Sequence, residues 1–342
     1  MPWYGVHEKI VRLLNAPYFI VSPRVKIDGE LSDILHISTG CRQGSILSPT
    51  LFNIVLDFIL RCIVKAWGKG NFTYIEDVID TEYADDTALL AECLEQIMKL
   101  TALLAGESQK WGLKLSHAKK TKIMPVTKKQ APHPQVQINS NEVEVVQRFV
   151  YLGSETDANC SCDTEMRWRV VLAGSVMNRL STSIFRRQDV SLDLKLRLFN
   201  SYVVPIFTHG SEWWILTNHM ENRLDACENR WLRRIMRITY TDRITNDTIR
   251  QRTQQLPVSN RLRQMQLIWL KRVIRMKDNR LTKSVHQWKP TGKRSRGRPN
   301  KRWMDCIEED LRRAGVTRCG KQQEDKERHW TTLLLTDNSG GT

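Results

Sequence analysis

The hydrophobic pattern changes its period once along this chain, near residue 163, and the switch separates two kinds of structure. Before it, helical periodicity alternates with short segments punctuated by Gly, Pro and Asp. After it, apolar residues recur every three or four positions in 163–186, 192–209, 219–238, 244–254, 259–277 and 301–314. The expectation is therefore an α+β first part and a mainly helical second part. Charge divides at the same place. Residues 1–162 carry 17 basic and 18 acidic side chains, whereas residues 163–342 carry 36 basic against 19 acidic ones. The net charge of +16 thus belongs wholly to the helical part. So polarised a chain suits a polyanion, most simply nucleic acid or an acidic membrane surface.

Several classes are argued against. Eight cysteines are scattered without a CxxC pair. Cys160-Ser161-Cys162 is too tight for a zinc knuckle, so zinc is not expected. Reduced thiols fit the cytoplasm or nucleus, and the opening residues MPWYGVHEKI lack the apolar run of a secretion signal. The most apolar stretch, Leu51 to Val64, is broken by Asn53, Asp57 and Arg61. Their four-residue spacing makes one polar stripe, with Asp57 and Arg61 able to pair, so an amphipathic core helix is expected and no membrane span.

In the first part, residues 6–16 read as a helix and 19–37 as a hairpin turning at Asp28-Gly29. A Gly- and Ser-rich loop, Ser38 to Pro49, leads into a helix over 50–67. Residues 76–91 read as a hairpin with Ala84-Asp85-Asp86 at its tip, and 94–111 as a helix stopped by Gly112. Short strands are expected within 113–126 and 135–155, around an exposed turn at 128–135.

The chemistry concentrates in Tyr83-Ala84-Asp85-Asp86. Adjacent carboxylates at a hairpin tip offer hard oxygen ligands, which suits Mg²⁺ held together with substrate phosphates. An Asp-rich turn can equally be a solvated turn. A second element weighs in: the string from Ser38 through Gly40, Gln43-Gly44 and Ser48-Pro49 to Leu51-Phe52-Asn53. Gly40 and Gly44 permit close backbone approach by a nucleotide, Gln43 supplies an amide to it or to the template, and Pro49 suits a first helical turn. Then follow Trp111-Gly112-Leu113-Lys114-Leu115, the Lys119/Lys120/Lys122 cluster and Phe149-Val150-Tyr151-Leu152-Gly153-Ser154.

This ordered series resembles the reverse transcriptases of non-LTR, LINE- or jockey-like retrotransposons. The resemblance is carried by residues 1–155 and more loosely by His209-Gly210-Ser211-Glu212-Trp213-Trp214 and Gly297-Arg298-Pro299. It implies an RNA-directed DNA polymerase segment: a partial palm (an antiparallel sheet with packing helices) over 1–160. A helical thumb or connection region would cover 161–285, a basic linker with C-terminal helices 286–336, and a disordered tail 337–342. It implies an RNA template, a DNA primer or target, and two Mg²⁺ ions in the complete enzyme. Asp85 and Asp86 would be catalytic metal ligands. Gln43, Gly44, Lys120 and Lys122 would contact nucleotide or template, with Lys119 an equal candidate in its cluster. Tyr151, Leu152 and Gly153 would grip the primer.

The basic half allows phosphate contacts from Arg233, Arg234 and Arg237 on a helix whose other face is apolar, and from Arg294, Arg296 and Arg298 in the linker KPTGKRSRGRPNKR. Arg296-Gly297-Arg298-Pro299 also resembles the core of a minor-groove reader of A·T tracts, while a generic basic linker explains it as well. Trp213 and Trp214 are expected in the core. The family's third carboxylate, carried by an Ala-Phe-Asp strand, has no match before the Gln43-Gly44 loop, and Asp28 and Asp33 are explained by their hairpin. Polymerase activity is therefore not expected of this chain alone. The alternative is a non-catalytic nucleic-acid binder acting through its basic half.

Overall fold

The computed structural model describes residues 2–19, 24–35, 44–67, 80–115, 120–126, 136–138, 141–288 and 301–313. They form two compact units, one of residues 1–123 and 134–144, the other of 124–133 and 145–342. The chain is α+β and mostly helical, with its described strands in four small sheets.

The first unit contains α1 (Glu8–Phe19), β1 (Lys26–Ile27), β2 (Glu30–Leu31), α2 (Ser48–Trp67), β3 (Asp80–Tyr83), β4 (Asp86–Leu89), α3 (Leu94–Lys110), β5 (Lys122–Ile123), β6 (Val136–Ile138) and β7 (Asn141–Val145). Leu56, Ile59, Leu60 and Ile63 recur on one face of α2 and are buried against Leu100 and Leu104 of α3. Each fully buried side chain of this kind stabilises by about 1.5–3 kcal/mol. On another face Arg61 pairs with Asp57 at 2.8 Å, the contact their spacing predicted. Leu89 and Ala91 pack against the same cluster, so the core anchors the β3–β4 hairpin at the end away from its tip. The strand ladder of the first hairpin is short: Lys26 faces Leu31 and Ile27 faces Glu30 across Asp28-Gly29.

The second unit contains β8 (Arg148–Tyr151), β9 (Ser154–Asp157), α4 (Cys162–Leu180), α5 (Leu192–Leu198), α6 (Val204–Thr208), α7 (Asn218–Met236), α8 (Asn246–Thr253), α9 (Val258–Ile274), α10 (Leu281–Gln287) and α11 (Trp303–Arg313). Its core joins Met166, Met177, Phe185, Phe199, Phe207, Trp214, Leu224, Leu232 and Leu262. Trp231 meets Phe207 edge to face, with 4.8 Å between ring centroids. The long helix read over 192–209 is interrupted by a π turn, Phe199–Val203. The cause is Pro205, which has no N–H and whose ring would collide with the carbonyl of Ser201 in a regular helix. Trp214 is buried as expected, but Trp213 is 42% exposed. No described helix is long and apolar enough to cross a membrane.

Candidate active site and cationic surface

The β3–β4 hairpin closes in two residues. Tyr83 faces Asp86 across the loop Ala84-Asp85, and Ala84 adopts φ 54°. A non-glycine residue is uncommon there, and such strained positions concentrate at functional sites. Asp85 and Asp86 are both exposed. The packing under Leu89 and the tight turn therefore present two adjacent carboxylates to solvent. Their donor set is right for a hard divalent cation. A two-ion centre needs a further bridging carboxylate, and no group of three metal-binding side chains gathers among the described residues.

Gly44 lies at the entrance to α2 with φ 83°, and a Cβ there would meet open space. The backbone conformation, not crowding, requires glycine in this loop. Gln43 lies outside the described residues. Ser48 is the first residue of α2 and Pro49 lies in its first turn, so the helix begins two residues before the 50–67 span read from the sequence. Lys120 is exposed, whereas Lys122 pairs with Glu144 at 3.1 Å.

The Tyr151-Leu152-Gly153 segment belongs to the second unit, as the turn between β8 and β9. Leu152 has φ 49° and Gly153 φ 77°, so a two-residue turn with both residues left-handed brings Tyr151 opposite Ser154. Leu152 is 45% exposed. Sequence reasoning did not find what lies beneath this turn. Glu165 and Arg169 of α4 are buried and paired at 2.7 Å. The Arg169 guanidinium donates to the Gly153 carbonyl, and the Glu155 N–H donates to Glu165. In the sequence the pair shows only as one more i, i+4 couple.

The arginines of α7 divide. Arg234 and Arg237 are exposed, although Arg234 also donates to Asn178 at 2.7 Å. Arg233 donates to the Ile244 carbonyl at 2.6 Å and to Asn246 at 3.0 Å, tying down the segment after the helix. Arg294, Arg296 and Arg298 lie outside the described residues. Three further arginines serve packing. Arg250 pairs with Glu228 at 3.0 Å, and Arg263 bridges Glu221 at 2.6 Å and Asp310 at 3.3 Å, while Arg169 holds Glu165. Burial pushes the Glu228 carboxyl above its usual range despite the Arg250 hydrogen bond that pulls it down.

Residues 5–156 match the family of reverse transcriptases (RNA-dependent DNA polymerases). A transposon-derived protein of Caenorhabditis elegans is 27% identical over 246 residues, which cover 69% of this chain and 86% of that protein. The RNA-directed DNA polymerase from mobile element jockey of Drosophila melanogaster is 26% identical over 220 residues, covering 62% of this chain and 23% of that protein. The jockey polymerase of Drosophila funebris is 26% identical over 221 residues, again covering 62% and 23%. The chain thus spans about a quarter of the length of the jockey polymerases it matches.

Proposed function

We propose that residues 5–156, which match the reverse transcriptase family, are the palm-derived part of an RNA-directed DNA polymerase of a jockey-like non-LTR retrotransposon, followed by thumb-like helices that hold nucleic acid. In this reading residues 1–160 derive from the palm, 161–285 from the thumb or connection region, and 286–336 from a basic linker and the C-terminal helices. The observation that carries it is the exposed Asp85-Asp86 pair at a strained hairpin tip, inside the segment that matches the family.

The reaction is attack of a primer 3′-hydroxyl on the α-phosphate of a nucleotide, with pyrophosphate leaving in line. Bound Mg²⁺ ions would activate the hydroxyl and neutralise charge on the leaving group. Asp85 and Asp86 supply two carboxylates of such a centre. Gln43 and Gly44 would border the nucleotide, and Lys120 or Lys122 would face phosphate charge. Tyr151, Leu152 and Gly153 would hold the primer end. Catalysis of this kind rests on positioning and charge stabilisation, so a centre lacking one carboxylate loses many orders of magnitude in rate.

The expectation for the purified 342-residue chain is therefore binding of RNA–DNA and DNA duplexes without primer extension. The test is extension of a labelled primer on an RNA template with Mg²⁺, for the chain itself and for Asp85→Ala. Extension by the parent chain that disappears in Asp85→Ala would overturn the proposed inactivity. Absence of duplex binding at low salt would overturn the family role altogether. The charge division favours the companion reading, in which the helical half alone suffices as a binder.

A further inference from the structure

A buried ion pair is a poor way to hold a small surface hairpin. Replacing such a pair by well-packed apolar residues is often neutral or stabilising, because desolvation offsets most of the attraction. The β8–β9 hairpin already has four paired positions and a two-residue turn. Yet the Glu165 side chain is 0% and the Arg169 side chain 6% exposed, and both are directed at this hairpin. Arg169 takes the carbonyl of Gly153 at the tip, and Glu165 takes the amide of Glu155 on the returning strand. One pair therefore ties both sides of the turn to α4.

The other side is closed by the segment after α6. A Cβ on Gly210, which has φ 69°, would lie 2.7 Å from the Ser154 hydroxyl oxygen and 3.9 Å from Glu165 Oε1. A Cβ on Gly153 would lie 3.5 Å from His209 Cε1. The turn is clamped from both sides, while Leu152, in a conformation unfavourable for leucine, projects with 45% of its surface exposed. A strained, exposed apolar residue held by a buried polar clamp is the arrangement of a preorganised contact, since such a turn persists only where its surroundings over-determine it.

We infer that the Glu165–Arg169 pair is a positioning element that fixes the Tyr151-Leu152-Gly153 turn against the recessed 3′ end of a primer strand. This rests on the primer-contact role proposed above for the turn. Neither residue touches nucleic acid; both act through the backbone of the hairpin.

The test compares two DNA probes of equal length bound to the full chain. One is a primer–template carrying 2-aminopurine at its recessed 3′ end, the other a blunt duplex. The parent chain is expected to bind the recessed end about tenfold more tightly, a preference of about 1.4 kcal/mol, with a fluorescence change at the terminal base. Arg169→Met is expected to abolish the preference and the fluorescence change while the blunt-duplex affinity and its salt dependence stay within about twofold, the ordinary outcome when a rim contact is untouched. Gly210→Ala leaves the ion pair in place but pushes on Ser154, and is expected to do the same. Adding Ser154→Ala to it removes the nearer obstruction but not the Trp213 Nε1 contact at 3.3 Å or the left-handed backbone at φ 69°, so it should restore the preference in part. If Arg169→Met loses its helical circular dichroism, the Gly210→Ala and Gly210→Ala/Ser154→Ala pair decides. A parent chain without preference for the recessed end would reject the primer role of the turn. A parent preference retained in Arg169→Met or Gly210→Ala would reject the positioning role and leave the primer role standing.

Discussion

Leu152 is where backbone preference and the proposed primer contact pull apart within one residue. Left-handed backbone costs a branched or bulky residue about 1–2 kcal/mol, and glycine nothing. Leu152 has φ 49° beside Gly153 at φ 77°. Leu152→Gly is therefore expected to leave the free energy of unfolding equal or raised by up to about 1 kcal/mol, while Leu152→Val lowers it by about 1–2 kcal/mol. Urea denaturation followed by circular dichroism measures both, and a Leu152→Gly variant clearly less stable than the parent would show that the side chain is needed for folding. The Asp85-Asp86 pair, Gly44 and the Asp28-Gly29 turn were legible because carboxylate adjacency and left-handed backbone leave marks in residue type. The Glu165–Arg169 clamp was not. Its spacing equals that of Glu95 and Lys99, which pair at 2.7 Å on an exposed surface, and only burial separates the two couples.

At the scale of elements, α9 shows how a helix can be capped by its neighbour. Its N-cap position is Pro257, which supplies no side-chain acceptor. Two acids of α7 do so instead. Asp225 accepts from the Ser259 N–H at 3.0 Å and from its hydroxyl at 2.7 Å, and Glu228 accepts from the Val258 N–H at 2.9 Å. Asp225→Ala is expected to cost about 1–2 kcal/mol, the usual penalty for a lost cap with its favourable dipole interaction. An unchanged urea midpoint would show that water replaces the carboxylate. Glu228 gives the unit a pH dependence. Its folded pKa is raised, so its contribution to stability is full below the ordinary unfolded value and is lost as pH rises through the folded one. Stability should thus decline as pH rises upward from the carboxylate range, and Glu228→Gln should flatten that decline; parallel profiles for the two proteins would contradict the assignment. Helical periodicity located most of α4 to α9, because one apolar face packs on one core. It could not show that α7 caps α9, since those partners lie 30 or more residues apart. Nor could it show α10, which has no fully buried residue to set a period.

For the whole molecule the decisive quantity is where charge remains available. Internal ion pairs remove acids and bases in equal number, so the excess of 36 basic over 19 acidic side chains in 163–342 survives all of them. What the pairs change is which arginines can meet a phosphate. Arg234 and Arg237 stand exposed on one end of α7, whereas Arg233 is engaged with Ile244 and Asn246. The sequence showed the three as equals. The proposed binding role then makes a graded prediction. Neutralising about four phosphates gives an affinity for duplex that falls roughly a hundredfold between 50 and 200 mM salt. Arg234→Ala and Arg237→Ala should each weaken binding at low salt and lower the slope of log affinity against log salt by about one. Arg233→Ala should leave the slope nearly unchanged and instead lower the urea midpoint, because it releases the segment leading into α8. Fluorescence anisotropy across a salt series reads all three. A slope near zero for the parent chain would remove nucleic acid as the partner of the basic half. Equal slope changes for the three variants would mean that Arg233 leaves its internal acceptors for phosphate when duplex binds.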